Sequence, residues 1–178
     1  MHMIIRAIVF AKNNDDALNK AEIVFKRLCE DQRPFDYYAM FDTPGTAVSG
    51  AGRWGQMEAV SLASSRQGLK LINEGMKYQK ESFLQGISRL KQHLKRGIDE
   101  LWLNNTAWKK DIGSFHYTCH QLGQYSGGEV FLYDQDGEGI RSETHLDDVL
   151  NRWADKEGVI PEEYSDLKVY VVPADVHM

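Results

Sequence analysis

The chain has 178 residues, of which 42% are hydrophobic and 26% charged, and its formal net charge is −5. These proportions are typical of one globular domain and exclude a fibrous or intrinsically disordered protein. The acidic balance argues against general nucleic-acid binding, which depends on basic side chains that neutralise phosphates.

Neither a membrane span nor a secretion signal is found in the sequence. No apolar stretch approaches the ~20 residues that a spanning helix needs. The apolar N-terminal run is interrupted by Arg6, so it predicts a first strand rather than a signal peptide. Cys29 and Cys119 form no disulfide or metal-binding motif. We therefore expect two reduced, buried thiols and a cytoplasmic location.

The first third of the chain alternates between strand and helix patterns. Residues 4–11 predict a strand, and Asn13 to Asp16 supply the cap and first turn of a helix that ends near Glu30. The aromatic-rich residues 35–41 predict a second strand. A short extended piece is expected at residues 59–62.

The strongest pattern is a long amphipathic helix, predicted over residues 65–102 with Ser64 or Ser65 as its cap. It would be about 57 Å long, against a radius of gyration of ~16 Å for a globule of this size. The helix must therefore either project from the domain or fold as a hairpin. Gly68, Gly75 and Gly86 lie along one edge, with Gly97, and predict either close approach of another backbone or a break. One face carries nine apolar residues at helical spacing: Leu69, Ile72, Met76, Phe83, Ile87, Leu90, Leu94, Ile98 and Leu101.

The last third of the chain returns to β character. Residues 114–122 alternate between polar and apolar side chains, which predicts a strand joined by a hairpin to a second run at residues 129–133. A short helix is expected after Thr144, because Asp147 three positions later completes a capping-box pattern. Residues 169–172 predict the last strand.

The order of predicted elements is β-α-β, a long helix, then β-β-α-β. It resembles the ferredoxin-like split βαβ arrangement. We therefore expect a single α+β domain over residues 1–178, with a mostly antiparallel sheet and a helical insertion at about residues 64–103. An order of elements implies a fold and no particular function.

A first candidate site is the glycine-rich loop over residues 42–55, which contains Arg53 and Trp54. Backbone N–H groups in such a loop can hold an anion, with Arg53 as a second contact and Trp54 as a stacking surface. The alternative is that Trp54 packs on the core and anchors the loop.

A second candidate site is the predicted strand at residues 114–122. His116, Thr118 and His120 would share one face of it, either in a polar cleft or as a solvated surface. His116 and His120 would lie too far apart along a strand to bind one metal ion without a bulge. The loop that begins at Asp134 has the first carboxylates of a calcium loop but lacks the closing one, which favours a plain acidic turn. We identify no metal or cofactor site.

A binding or interaction protein is the function that the sequence favours. Residues 64–102 contain eight basic and four acidic residues, a net +4, whereas the remainder contains 13 basic and 22 acidic residues, a net −9. This asymmetry favours a homo-oligomer, or a protein partner, bound through the helix over residues 69–101. A small anionic ligand could bind under the loop at residues 45–55.

The alternative hypothesis is a hydrolase that acts on a phosphate ester. His116 or His120 would serve as acid or base, Thr118 as an orienting hydroxyl, and Arg53 as the contact to the anion.

Overall fold

A computed structural model describes residues 2–30, 35–95, 115, 118–119, 122, 129–153 and 161–178. These residues belong to two compact units. The sheet unit comprises residues 1–76 and 131–178, and the second unit comprises residues 77–130. The elements in chain order are β1 (His2–Ala11), α1 (Asn14–Glu30), β2 (Tyr37–Met40), α2 (Ala51–Trp54), β3 (Ser61–Leu62), α3 (Arg66–Leu94), β4 (Leu132–Tyr133), α4 (Glu143–Leu150), a 3₁₀ turn (Glu162–Tyr164) and β5 (Lys168–His177).

The first and last strands form the centre of a five-stranded sheet. Four of its strands have the order β2-β5-β1-β4, and β3 also pairs with β5. β1 and β5 are antiparallel along their whole length, from His2 opposite His177 to Ala11 opposite Lys168. β4 runs parallel to β1, while β2 and β3 pair with successive parts of the other edge of β5. The sheet is therefore mixed, and the prediction of a mostly antiparallel sheet is wrong. The α+β class is confirmed, whereas the ferredoxin-like arrangement is not.

Both faces of the central strands are covered. Residues 5–11 of β1 are all buried, and consecutive residues of a strand point to opposite faces. α1 packs on the sheet through five side chains at helical spacing: Ala17, Ala21, Val24, Phe25 and Leu28. A second cluster joins the start of α3 to the strands and α4: Ile8, Ala63, Leu71, Ile72, Leu132, Ile140, Val149 and Val171. A chain of this size can build such a core without disulfides.

Most of the predicted elements in the first half of the chain are confirmed. β1, α1, β2 and β3 lie where their patterns placed them. Ser65 is the cap of α3, since its hydroxyl accepts a hydrogen bond from the Gly68 N–H at 3.0 Å. α3 continues through Gly75 and Gly86 to Leu94 without a break. The part of the helix predicted beyond residue 95 lies outside the described residues. The single domain over residues 1–178 stays a prediction.

Near the C-terminus, two boundaries differ from the predictions. α4 begins after Ser142 rather than Thr144, because the Ser142 hydroxyl accepts the His145 N–H at 3.1 Å. β5 extends through Pro173 to His177 instead of ending near residue 172. Pro173 falls between the residues of β5 that pair with β3 and those that pair with β2. Its missing N–H therefore interrupts neither of those pairings.

The predicted strand at residues 114–122 is wrong at every position that the structure describes. Phe115, Thr118, Cys119 and Leu122 are helical. Their spacing is i, i+3, i+4 and i+7, which is the period of a helix face. The segment at residues 114–122 also satisfies a two-residue alternation, with Phe115 and Cys119 on one face and Thr118 on the other. Both periods are therefore compatible with the sequence, and the strand prediction chose the wrong one. The predicted hairpin at residues 124–128 lies outside the described residues.

Candidate functional site

A cleft of about 570 Å³ lies in the sheet unit beside β2. Its size is that of a typical ligand pocket, for which the range is roughly 300–1,000 Å³. α1 forms one wall, the whole of β2 another, and the loop that follows β2 a third. The lining residues are Leu18, Asn19 and Glu22 of α1, Tyr37, Tyr38, Ala39 and Met40 of β2, and residues 42–46 of the loop.

β2 offers the cleft an unpaired backbone edge. It pairs with β5 on one side, and the described part of the chain places no strand on its other side. All four of its residues line the cleft, so the cleft follows the strand rather than one of its faces. Half of the N–H and C=O groups of an edge strand point away from the sheet, where another extended chain can pair with them.

The charged side chains that line the cleft are acidic. They are Glu22 and Asp42, and the lining contains no Lys, Arg or His. The Tyr38 hydroxyl donates to Glu22 Oε1 at 3.5 Å. Burial, with the nearby Glu22 carboxylate, raises the pKa of Tyr38 and keeps this hydroxyl protonated. The site therefore favours a cationic group over an anionic one.

Arg53 and Trp54 lie close together but away from the cleft lining. Both belong to the one-turn helix α2, and the Arg53 guanidinium lies 5.6 Å from the centre of the Trp54 ring. The Trp54 side chain is 42% exposed. The alternative prediction that Trp54 anchors the loop on the core is therefore wrong.

Asp175 of β5 anchors the glycine-rich loop instead. Its side chain is fully buried, and Oδ2 accepts the Gly50 N–H at 2.9 Å. Gly50 has a φ of 56°, a conformation that suits glycine. Thr46 and Ser49 close the preceding turn by hydrogen bonds between their backbones, 3.1 Å in each direction. One carboxylate thus holds the loop that forms the third wall of the cleft.

Two histidine–carboxylate pairs meet at the same end of the sheet. His2 Nδ1 lies 3.1 Å from Asp175 Oδ1, and His177 Nδ1 lies 2.8 Å from Asp36 Oδ1. The two histidines face each other across β1 and β5, with ring centres 4.8 Å apart. Sequence reasoning missed this group, because only the pairing of the first and last strands brings the two residues together.

Of the three predicted strand-face residues, only Thr118 is described. It is helical and buried, and its hydroxyl has no hydrogen-bond partner among the described residues. His116 and His120 lie outside the described residues. In the same unit, the ring of His93 is buried 5.9 Å from that of Phe115. The strand face on which the hydrolase hypothesis depended is not present at Thr118.

The loop at Asp134 is a closed acidic turn, as predicted. Asp134 Oδ1 accepts the N–H groups of Asp136 and Glu138, each at 2.9 Å. Arg152 bridges the carboxylates of Asp134 and Asp136. These carboxylates are therefore already paired within the protein. Within the described ranges, no group of three or more His, Cys, Asp or Glu is arranged to hold a metal ion.

These features describe an α+β protein with an acidic cleft along an open sheet edge. A family model described as a domain of unknown function, DUF7995, matches residues 1–178, and the chain belongs to that family. No curated protein and no solved structure matches the chain. In the part of the chain that the structure describes, no helix is both long and apolar enough to cross a membrane.

Proposed function

We propose that this protein is a binding module that takes an extended, basic peptide segment into the cleft beside β2. The observation that carries the proposal is an acidic cleft that follows the unpaired edge of a strand. In recognition by strand addition, hydrogen bonds between backbones supply affinity and pockets for alternate side chains supply specificity.

The chemistry of the cleft defines the side chain that the segment should carry. A Lys or Arg beside β2 would meet the carboxylate of Asp42 and that of Glu22. At Glu22 it would compete with Lys26 of α1, which lies 3.2 Å away in an exposed ion pair. Tyr37 and Tyr38 add aromatic faces, which attract cations. An anionic ligand, as the glycine-rich loop alone suggested, would meet two carboxylates here and is not proposed for this cleft.

Selection from a phage-displayed library of random peptides tests the proposal. We expect the selected peptides to be enriched in Lys or Arg between β-forming residues. The double variant Glu22→Gln, Asp42→Asn should weaken binding of a selected peptide by tenfold or more, since it removes both charges and keeps the side-chain shapes. Glu30→Gln, on the same helix but outside the lining, is the matched control and should bind as the wild type does.

NMR mapping then separates strand addition from general electrostatic attraction. A selected peptide should shift the amide signals of residues 37–40 more than those of α4. Peptides without a basic residue, or shifts spread over the acidic surface with β2 unaffected, would contradict the proposal.

A second proposal is self-association through α3. Phe83 and Leu94 lie on one face of the helix and are 42% and 57% exposed. The face belongs to the stretch with a net charge of +4, and the remainder of the chain has −9. A second copy of the chain therefore offers the complementary charge.

Sedimentation velocity tests the self-association. We expect a wild-type dimer or larger oligomer that Phe83→Glu converts to a monomer. Ile23→Glu places the same charge on an exposed apolar position of α1 and should leave the oligomer intact. A monomeric wild type, or an oligomer that Phe83→Glu does not change, would show that α3 is not the interface.

The compartment that we propose is the cytoplasm or another reducing one. Cys29 and Cys119 are both free thiols, but the prediction that they are buried is wrong, since Cys29 is half-buried and Cys119 exposed. Free thiols persist where glutathione and thioredoxin keep them reduced. The hydrolase hypothesis is not carried further, because Thr118 lies in a helix rather than on a strand face.

A further inference from the structure

The two histidines at the end of the sheet have the arrangement of metal ligands. His2 and His177 are directly opposite on neighbouring antiparallel strands, so their side chains leave the same face of the sheet. Each ring has its Nδ1 on a carboxylate. Neither Nε2 makes a hydrogen bond with the described residues. Both rings thus have one nitrogen oriented by the protein and the other available.

Hydrogen bonds between Nδ1 and a carboxylate are typical of histidines that bind metal through Nε2. Such a bond fixes the tautomer and the ring orientation, and it raises the basicity of the ligating nitrogen. Here the pattern occurs twice on adjacent residues. Asp175 is rigidly placed, because it is fully buried and also accepts the Gly50 N–H. Asp36 is exposed and holds His177 at 2.8 Å.

The separation of the rings fits one shared ion. With metal–nitrogen distances of ~2.0–2.1 Å and an angle between tetrahedral and square-planar values, two imidazole rings on one ion have centres roughly 4.5–5.2 Å apart. The observed distance between the ring centres is 4.8 Å. The His2 side chain is 18% exposed and that of His177 is 40% exposed, so an ion can reach them from solvent.

We propose that His2 and His177 bind one divalent transition-metal ion through their Nε2 atoms, with water at the remaining positions. Imidazole ligands suit Zn²⁺, Cu²⁺ and Ni²⁺ rather than Mg²⁺ or Ca²⁺. Asp175 and Asp36 act as positioning residues and do not touch the ion. The site uses two protein ligands, and no group of three or more His, Cys, Asp or Glu among the described residues is arranged to hold a metal ion. It is independent of the cleft beside β2.

Isothermal titration with Zn²⁺ at pH 7.5 tests the site. The experiment uses the full chain with His116→Ala and His120→Ala, which removes two histidines that could bind Zn²⁺ elsewhere. We expect one ion per chain, and at least a tenfold loss of affinity in His177→Ala and in His2→Ala. Asp36→Asn should weaken binding by about tenfold, the lower end of the effects of such outer residues. His145→Ala, which changes a histidine of α4, is the matched control and should bind unchanged.

Electron paramagnetic resonance of the Cu²⁺-loaded protein gives a second readout. Two equivalent nitrogens should appear in the hyperfine pattern, and one should remain after His177→Ala. Circular dichroism checks that each variant is folded; His177→Ala is the decisive one, since its side chain and its partner Asp36 are both exposed. No Zn²⁺ binding by the wild type, or binding that His177→Ala leaves unchanged, overturns the proposal.

Discussion

The carboxylates of Asp175 and Asp36 show at the residue scale how burial decides the role of a side chain. Each lies on the Nδ1 of a histidine. Asp36 is largely exposed, whereas Asp175 is fully buried and also accepts the Gly50 N–H. A buried carboxylate without partners is costly, so Asp175 requires both of its partners and fixes the loop to the sheet.

Replacing Asp175 should therefore destabilise the protein more than replacing an exposed aspartate. Asp175→Ala leaves the Gly50 N–H without its acceptor and removes the partner of His2, at a cost of about 2–4 kcal/mol in the free energy of unfolding. Urea denaturation measures it. Asp166→Ala, which removes an exposed ion pair with Lys12, is the matched control and should have no measurable effect. Equal stability of the two variants would show that Asp175 does not hold the loop.

Glu129 makes a pH-dependent contribution to stability in the second unit. Burial raises the pKa of its carboxyl, and the charge of Arg89 offsets part of that effect. Because the folded-state pKa is above the unfolded one, ionising Glu129 costs stability at neutral pH. Glu129→Gln should thus unfold at a higher temperature than the wild type at pH 7. The difference should shrink as the pH falls through the folded-state pKa and vanish below about 4.3, the unfolded value.

Thermal unfolding at pH 7 and pH 4 measures the effect of Glu129→Gln. Glu81→Gln, an exposed position on α3, is the control. A Glu129→Gln variant less stable than the wild type at pH 7 would mean that the carboxylate makes a favourable contact outweighing its desolvation.

At the element scale, helical periodicity located most of the fold but not the orientation of α3. The predicted apolar stripe includes Leu69, yet Leu69 is exposed, and the buried positions in the first three turns of α3 are Gly68, Leu71, Ile72 and Gly75. The glycines explain why the buried face of α3 differs from the predicted apolar stripe. They allow the β3 backbone and Leu132 to approach closely, and a pattern of apolar side chains does not include glycines.

Gly68 should therefore resist substitution even by alanine. A Cβ at Gly68 would lie 2.0 Å from the carbonyl oxygen of Leu62, whereas one at Gly75 would meet the end of the Leu132 side chain at 2.8 Å. Backbone cannot move as a side chain can, so Gly68→Ala should cost about 1–3 kcal/mol of overpacking and outweigh the helix preference of alanine. Gly75→Ala should cost less. Chemical denaturation of both variants compares them, and a stabilising Gly68→Ala would contradict this packing.

The predictions failed where two periods fitted one segment or where contacts joined distant residues. The segment at residues 114–122 suits a strand alternation, whereas its residues 115, 118, 119 and 122 suit a helix face, and no local feature separates the two patterns. The pairing of β1 with β5 places His2 beside His177, which no local pattern records. The cleft likewise combines α1, β2 and a loop, so its acidic lining could be recognised only after folding.

At the scale of the whole molecule, the sheet unit contains every element needed for its own core. All five strands, α1, α4 and the buried start of α3 belong to residues 1–76 and 131–178. The cleft and the histidine pair also lie entirely within this unit. The two parts of the sheet unit that flank residues 77–130 meet in space, because Gly75 packs against Leu132.

Replacing residues 77–130 with a short Gly/Ser linker should therefore leave a folded protein. A linker of about six residues spans roughly 12–15 Å, enough for ends that neighbouring contacts already bring together. We expect cooperative thermal unfolding, and amide signals of β1, β2 and β5 close to those of the full chain. The shortened protein should also keep the peptide binding proposed for the cleft and lose any self-association through α3. A chain without cooperative unfolding would show that the sheet unit depends on residues 77–130 for its stability.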